Sequence, residues 1–237
     1  MPPHLEDVPS HLAEILRDAA DIGRFGADVP ATLAWVRRVG RLAPLPGEDT
    51  AGLWSLLSRA AEIDVAAARM LEPHLDARAI LAQARAEHPA ADALDDPDAV
   101  WGVFAAEGPG VAVRARCAGA GWLLTGTKPW CSLAGRLTRA LVTAWVDDER
   151  ALFAVDLRRP EVAARTGPWA GVGLPSVVSA PLDLHDAPAE MIGDPGWYLR
   201  RPGFAWGGMG VAAVWHGGAR PLVRRLVSAA GDDPLAA

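Results

Sequence analysis

The sequence predicts an α+β protein with an N-terminal helical domain, a small antiparallel β-barrel or sandwich in the middle, and a single residual C-terminal helix. Apolar residues recur at helical spacing through the first hundred residues, and from Val100 the pattern changes to the two-residue alternation of strands. A long apolar run returns after Gly193–Gly196. We therefore expect domains at residues 1–99, 100–192 and 193–237. A chain of 237 residues is long enough to bury a sizeable core.

The helical domain is predicted from amphipathic segments and their punctuation. Helices are predicted over three segments: His11–Ala20, Ala31–Gly40 and Leu53–Glu87. Asp49 and Thr50 are both candidate N-caps for the third segment. We expect that segment to break near Pro73, because proline is favoured as the first residue of a helix. The polar stretch Pro89–Ala99 is the predicted linker to the next domain.

The middle domain is predicted from six short runs rich in β-forming residues. These runs are Val100–Glu107, Val111–Cys117, Gly121–Thr127, Arg139–Val146, Ala151–Leu157 and Val177–Leu184. Turn residues at Ala118–Gly121 and Asp147–Arg150 predict two hairpins. His185 and Asp186 are expected at a solvated corner after the last strand. The segment Phe204–Ala230 predicts one more helix, which we expect to end without a packing partner.

Composition and charge exclude several classes of function. The net charge is −6, with 29 acidic and 23 basic residues and no lysine/arginine run, so neither nucleic acid nor an anionic membrane surface is an expected partner. The uncharged stretch Phe204–Trp215 is too short and too glycine-rich to span a bilayer. An acidic pair stands where a signal peptide needs positive charge, which favours a cytoplasmic location. Cys117 and Cys131 fit a reducing compartment and are too few for a structural zinc site.

Two single residues stand out from this composition. Lys128 is the only lysine among the 23 basic residues. It is either a chance survivor of a coding bias toward arginine or a residue whose task suits an ammonium better than a guanidinium. Tyr198 is the only tyrosine beside ten tryptophans, most of which we expect to be core or interface anchors.

The most informative motif is Gly121–Ser132, GWLLTGTKPWCS. Its G-x-K-x-W-x-S core, together with the following F-x-V-D of Phe153–Asp156, resembles the middle domain of the acyl-CoA dehydrogenase family. Glu72–Leu81 is similar to the end of that family's N-terminal helical domain. The resemblance implies a flavoprotein oxidoreductase of fatty acid metabolism that removes hydrogens from the α and β carbons of an acyl-CoA or related thioester, with hydride transfer to FAD. It also implies a homo- or hetero-oligomer that assembles through the C-terminal helix.

The resemblance assigns three residues to the cofactor. Trp130 takes the ring-packing position and Ser132 the position of the hydroxyl that bonds flavin N5, while Ala106 replaces a threonine that would reach the flavin pyrimidine. A flavin needs a flat apolar wall and a donor near N5, and residues two apart on a strand face the same side. The alternative is that Trp130 belongs to the core and Ser132 to a turn. Glu107 matches a family glutamate and is expected to bond to backbone, and the following Gly108–Gly110 loop could expose N–H groups.

No catalytic base is identified, so the catalytic residues are unknown. The resemblance implies a carboxylate in a C-terminal four-helix domain, of which this chain has the first helix, or on that helix near Trp206–Gly208, where no acid stands. His216 and Cys131 are expected to be structural, and no zinc, P-loop or Ser/His/Asp signature is present, so no metal is expected. Three functions remain open: a flavoprotein with impaired catalysis, a non-catalytic subunit of a heteromeric acyl-CoA dehydrogenase, and a binding module without flavin. A truncated gene is a further possibility.

Overall fold

The computed structural model describes residues 10–87, 96–119, 121–165, 167 and 169–230. Its helices are α1 (Ser10–Ala20), α2 (Val29–Leu42), α3 (Thr50–Ile63), α4 (Val65–Glu87), α5 (Trp197–Arg200) and α6 (Phe204–Ala230). Its strands are β1 (Trp101–Phe104), β2 (Val113–Ala118), β3 (Gly121–Ser132), β4 (Arg139–Val146), β5 (Glu149–Asp156), β6 (Val162–Ala164) and β7 (Ser179–Ile192). The predicted order of helices, strands and final helix is confirmed. The domain boundaries stay predictions, and residues 89–95 of the expected linker lie outside the described residues.

Aspartate caps decide where the helices begin. Of the two candidate caps for α3, Asp49 is the one used, since its Oδ1 accepts the Gly52 N–H at 2.8 Å. The expected break near Pro73 is wrong: the chain breaks at Asp64, and Pro73 lies inside α4. Asp64 Oδ1 accepts the Ala67 N–H at 2.8 Å and so caps the start of α4. A capping side chain stabilises the start of a helix by accepting a free backbone N–H. A proline inside a helix costs one backbone hydrogen bond and some steric crowding, and here the cap determines where α4 begins.

The middle strands close into a five-stranded barrel in the order β4-β2-β3-β7-β5, with β5 returning to β4. Both predicted hairpins are confirmed, with Ala118 opposite Gly121 and Val146 opposite Glu149. The expectation of a purely antiparallel sheet is wrong, because β1 runs parallel to β4 and β2 meets β4 in parallel at one pair. The β2–β3 hairpin separates β1 from β4 along the chain and provides the long connection that a parallel pair requires.

Strand β7 is longer than the sequence predicts. It continues to Ile192, so His185 and Asp186 lie within the strand and not at a corner beyond it. A register shift against β3 between Leu124 and Gly126 and a positive φ of 53° at Asp186 accommodate the irregularity. The extra length lets β7 pair with β5 through Ala189–Ile192 and thereby close the barrel, whereas its pairing with β6 uses residues 182–184.

One buried apolar cluster runs through the helices and the barrel, from Leu12 in α1 to Phe153 in β5 and Val214 in α6. The expectation that the last helix lacks a partner is wrong for its first half, which packs on α3 and α4. Gly217 permits this contact, since a Cβ there would collide with the Ser58 carbonyl oxygen. The second half of α6 is exposed. Among the described helices, none has both the length and the apolar character that crossing a membrane requires.

Candidate functional site

The structure brings together the two segments that the resemblance assigns to a cofactor. The loop after β1 and the end of β3 are joined by an ion pair, in which Lys128 Nζ lies 2.7 Å from Glu107 Oε1. One residue further along both segments, a Cβ on Gly108 would lie 3.1 Å from Pro129 Cγ. Ala106 and Trp130 therefore belong to two neighbouring segments.

Lys128 is the residue that fixes this juxtaposition. Its side chain is 1% exposed, and its ammonium also donates to Thr143 Oγ1 at 2.7 Å. Burial lowers the pKa of Lys128, and the hydrogen bond and charge of Glu107 oppose that shift. A buried charge is tolerated only when it is paired and hydrogen-bonded, which is the case here. A compact ammonium fits between two oxygen acceptors where a planar guanidinium would need more room, so this position favours the second explanation of the single lysine.

Within the described residues, Glu107 is held by side chains, so the expectation that it bonds to backbone is wrong. Besides Lys128, it has Arg150 Nη1 at 3.6 Å and Thr143 Oγ1 at 3.4 Å. Thr143 also lies 3.4 Å from the Ala105 carbonyl oxygen, so the strand β4 hydroxyl contacts the same loop. The carboxylate therefore serves as an anchor of the loop that contains Ala106.

Backbone geometry explains the glycine of the G-x-K sequence, Gly126. Gly126 has a φ of 130°, and a Cβ there would collide with the Ala112 carbonyl oxygen. The backbone of β3 therefore passes against the segment before β2 at this point. Gly126 and Lys128 of the G-x-K sequence together position the end of β3.

Trp130 occupies a strained and exposed position. The register of β3 against β7 shifts between Lys128 and Cys131, Trp130 has a φ of 55°, and its side chain is 62% exposed. Leu133 is also left-handed, with a φ of 57°. Such positions cost about 1–3 kcal/mol each in non-glycine residues and concentrate at functional sites. The alternative of a core tryptophan is wrong. The predicted shared face with Ser132 depended on regular alternation, which the bulge interrupts, so that shared face stays a prediction.

Ser132 and Cys131 lie in different environments. The Ser132 hydroxyl is half-buried and lies 2.7 Å from Ser179 Oγ on β7. When Ser179 donates in this contact, the Ser132 hydrogen is available to another acceptor. Cys131 is fully buried beside the Lys128 carbonyl oxygen, and burial raises the pKa of its thiol to about 12. The thiol is therefore protonated at neutral pH, as a structural residue would be.

Ala106 lines a cavity of about 400 Å³ between α4, β1 and the start of α6. We call it the junction cavity. Its polar lining consists of Arg69, Glu72, Asp76, Tyr198 and Arg201. The turn Trp206–Gly208 contains no acid. Gly207 and Gly208 of this turn line the junction cavity together with the carboxylates of α4.

Glu72 and Asp76 were missed as functional candidates by sequence reasoning. Their spacing of four residues on a helix places both on one face, which is the signal that could have identified them. Burial raises the pKa of Glu72 to about 7, against the opposing charge of Arg69, whose Nη1 lies 2.6 Å from Glu72 Oε2. Burial also raises the pKa of Asp76, against the charge of Arg201.

Comparison with known proteins identifies the fold. No family model matches the sequence, and no curated protein matches it. Solved structures do match: glutaryl-CoA dehydrogenase from Mycobacterium smegmatis has 18% identity and a TM-score of 0.72 over 95% of this chain and 66% of that one. KijD3, in complex with FMN and a dTDP-linked amino-keto sugar, has 22% identity and a TM-score of 0.68 over 95% of this chain and 62% of its own.

A third match is dibenzothiophene monooxygenase TdsC from Paenibacillus sp. A11-2, with 17% identity and a TM-score of 0.70 over 95% of this chain and 66% of that one. TdsC has also been seen with FMN bound. The chain therefore has the fold that glutaryl-CoA dehydrogenase, KijD3 and TdsC share, and the fold that the resemblance implies is confirmed. The chain spans less than two thirds of the length of these structures.

Proposed function

We propose that the chain is a flavin-binding oxidoreductase whose flavin packs on Trp130, with Ser132 and the loop Ala106–Gly110 beside it. The observation that carries this proposal is the exposed indole on a strained bulge of β3. An indole of this size is normally buried, and a left-handed bulge that exposes it needs a compensating role. The neighbours that contain FMN share the fold and thereby support a flavin as the ligand.

The residues present fit such a group in part. The indole of Trp130 offers a flat apolar surface, and the hydroxyl of Ser132 offers a donor for a ring nitrogen. The Lys128–Glu107 pair holds the adjacent loop, where Gly108–Gly110 supplies backbone N–H groups. Ala106 offers no hydroxyl. Of the hydrogen bonds to flavin that the resemblance implies, one worth about 1 kcal/mol is therefore missing. When bound, a flavin would supply the hydride-accepting chemistry that the side chains lack.

The particular reaction and cofactor are part of the same proposal. The resemblance favours FAD and α,β-dehydrogenation of an acyl thioester in the cytoplasm, whereas two of the structural neighbours hold FMN. Such a reaction needs a proton acceptor. Trp206–Gly208 offers none, and the nearest carboxylate to this turn of α6 is on α4, where Asp76 Oδ1 would lie 3.0 Å from a Cβ on Gly207.

Flavin titration of the purified chain tests the proposal. FAD and FMN are added separately, and bound flavin is measured by absorbance after gel filtration and by quenching of flavin fluorescence. We expect retention of one of them, and at least tenfold weaker binding in Trp130→Ala. Ser132→Ala is expected to weaken binding less, by the worth of one hydrogen bond, about fivefold. Trp215→Ala, which removes another exposed tryptophan on α6, is the matched control.

Two results would contradict the proposal. Wild-type protein that retains neither FAD nor FMN would favour the binding module without flavin. Equal occupancy in the Trp130→Ala and Ser132→Ala variants would remove both residues from the site.

A second candidate function, a non-catalytic subunit of a heteromeric enzyme, is favoured by the second half of α6. There Leu222, Val223, Leu226 and Val227 are each more than half exposed, and a contiguous apolar surface of this kind marks an interaction site or an aggregation risk. Co-expression with a full-length paralogue tests this function. We expect a mixed oligomer that Leu222→Glu/Leu226→Glu abolishes; separate elution of the two chains would contradict it.

A further inference from the structure

Another cavity, of about 230 Å³, lies between α2, α4 and the segment that leads into β1, and it shares no described lining residue with the junction cavity. We call it the arginine cavity. Arg37 and Arg41 line it from α2, and Arg78 and Arg85 line it from α4. Residues four or seven positions apart on a helix lie on the same face, so each helix turns an arginine-bearing face toward this space. Among the described residues of the lining, Asp96 is the one carboxylate.

Buried N–H donors without a hydrogen bond collect around the arginine cavity. Arg78 and Arg85 each have an interaction elsewhere, but Arg78 Nη1 and Arg85 Nε are buried, and no acceptor among the described residues bonds to either nitrogen. Arg139 Nε is buried in the same way and lies 3.6 Å from Asp96 Oδ2, which is too long for a hydrogen bond. A buried charged group with a missing hydrogen bond is costly, so these donors indicate an acceptor that the described residues do not supply.

His74 adds one more donor to the lining. Its side chain is buried, and its Nδ1 accepts the Trp101 N–H at 3.3 Å. Burial, together with the charge of Arg78, lowers the pKa of His74 to about 3, so the imidazole is neutral at pH 7 and carries its hydrogen on Nε2. This N–H has no acceptor among the described residues. Gly40 lets α2 pack closely against the ring, since a Cβ there would collide with Nε2.

Arg37 keeps donors available to a ligand in this cavity. The Asp98 carboxylate is shared between two arginines, since its Oδ1 lies 2.9 Å from Arg41 Nη2 and 3.6 Å from Arg37 Nη1. Arg41 is also held by the Pro97 carbonyl oxygen, which accepts from Nη2 at 3.1 Å. Arg37 makes no hydrogen bond within the described part of the chain, and its side chain is 40% exposed. Its guanidinium can therefore turn to a ligand without losing a hydrogen bond.

We infer that the arginine cavity binds a phosphate group, held by Arg78 of α4 and Arg37 of α2. A phosphate offers three or four acceptor oxygens and a negative charge, and the planar fork of a guanidinium matches two of these oxygens at once. A carboxylate offers only two oxygens and would leave more of the buried donors without an acceptor. Drug-sized ligands occupy pockets of about 300–1,000 Å³, so this smaller cavity suits free phosphate or the phosphate of a small monoester. The inference goes beyond the proposed function and does not depend on it.

Titration with inorganic phosphate, ethyl phosphate and chloride at equal ionic strength tests the inference in the full chain without flavin. Binding is followed by the ¹H–¹⁵N NMR signals of the Gly40 amide and the Trp101 indole, two residues of the lining. We expect a phosphate probe to shift both signals saturably, at concentrations at least tenfold below those at which chloride acts. Tighter binding of ethyl phosphate would support the inference with an ester as the ligand, and tighter binding of inorganic phosphate would support it with the free ion. No saturable shift, or an equal response to phosphate and chloride, would overturn it.

Two neighbouring arginines of α2 provide a matched pair of variants. Arg37 lines the cavity, whereas Arg38 lies 3.7 Å from Asp18 of α1 and outside the lining. Arg37→Met is expected to weaken phosphate binding about tenfold, the worth of a charge-assisted hydrogen bond, and Arg38→Met is expected to leave it unchanged. Arg78→Met should weaken binding at least as much as Arg37→Met, and flavin retention should be unchanged in all three variants. Equal phosphate affinity of Arg37→Met and Arg38→Met would overturn the inference, even if Arg78→Met failed to fold.

Discussion

Two regions of the molecule bury ionisable groups, and they do so in opposite ways. In the barrel, the Lys128 ammonium has two oxygen partners, each at 2.7 Å, and it ties the loop of Glu107 to β4. In the junction cavity, and within the described residues, Glu72 has one close partner and the cation nearest to Asp76 lies 3.8 Å away. The first region pairs its buried charge fully, whereas in the second the buried Arg201 Nε has no hydrogen-bond partner among the described residues.

This difference separates a buried charge with close hydrogen bonds from buried charges that are less closely paired. A fully satisfied buried pair fixes geometry, although it adds little net stability over an apolar pair. A buried carboxylate with fewer close partners is costly to ionise, and its pKa rises as a result. Lys128 and Glu107 therefore position the loop of Ala106, whereas burial raises the pKa values of the less closely paired Glu72 and Asp76.

The largest expected effect comes from removing the anion of the barrel pair. Glu107→Ala leaves the buried ammonium of Lys128 with only the Thr143 hydroxyl, and breaking such a pair from one side costs about 3–5 kcal/mol. Lys128→Met is expected to cost clearly less, because Glu107 is 31% exposed and keeps Arg150 nearby. Urea unfolding of both variants measures the asymmetry. If the two variants lost the same free energy of unfolding, Lys128 would depend on the pair no more than Glu107 does. The contrast with the junction cavity would then fail.

The sequence predicted the parts of the fold that local signals encode. The helical periodicities and the turn residues at Ala118–Gly121 and Asp147–Arg150 act within a few residues, so the corresponding helices and hairpins are confirmed. The break at Asp64 has a local signal too, an aspartate three residues before the amide it caps. In this segment, a capping side chain therefore outweighs a proline as the signal for a helix boundary.

The candidate site was predictable only where a motif spans it. Trp130, Ser132 and Lys128 lie in one continuous sequence, whereas the bulge that exposes Trp130 depends on the register of β3 against β7. The parallel pairing of β1 with β4 and the meeting of α4 with α6 are non-local. No local pattern therefore indicates that Glu72 and Asp76 face glycines of a helix about 130 residues later.

A second, smaller effect tests the junction cavity through stability. Glu72 has an ordinary pKa of 4.5 when unfolded and about 7 when folded, so the folded chain holds this proton more tightly. Its contribution to stability is therefore fully present below pH 4.5 and is lost as the pH rises through 7. Glu72→Gln removes this loss, and its stability relative to the wild type should rise by about 3 kcal/mol across that window. Urea unfolding at half-unit pH steps measures the difference.

Asp76→Asn is expected to change stability in the same direction, since burial also raises the pKa of Asp76. Two variants whose stability relative to the wild type does not change with pH would indicate that the carboxylates are served by donors in solution. The contrast between the less closely paired carboxylates of the cavity and the closely paired lysine of the barrel would then be lost.

The smallest expected effect concerns the second cation beside Glu107. Arg150 Nη1 lies 3.6 Å from Glu107 Oε1, and its side chain is 29% exposed. Partly solvated pairs of this length contribute less than about 1 kcal/mol, so Arg150→Met should lower the free energy of unfolding by no more than that. Urea unfolding beside Glu107→Ala provides the comparison. If Arg150→Met were as damaging as Glu107→Ala, the anchor of the loop would be a partly exposed pair of arginine and glutamate, and the single lysine of the chain would lose the structural reason for its retention.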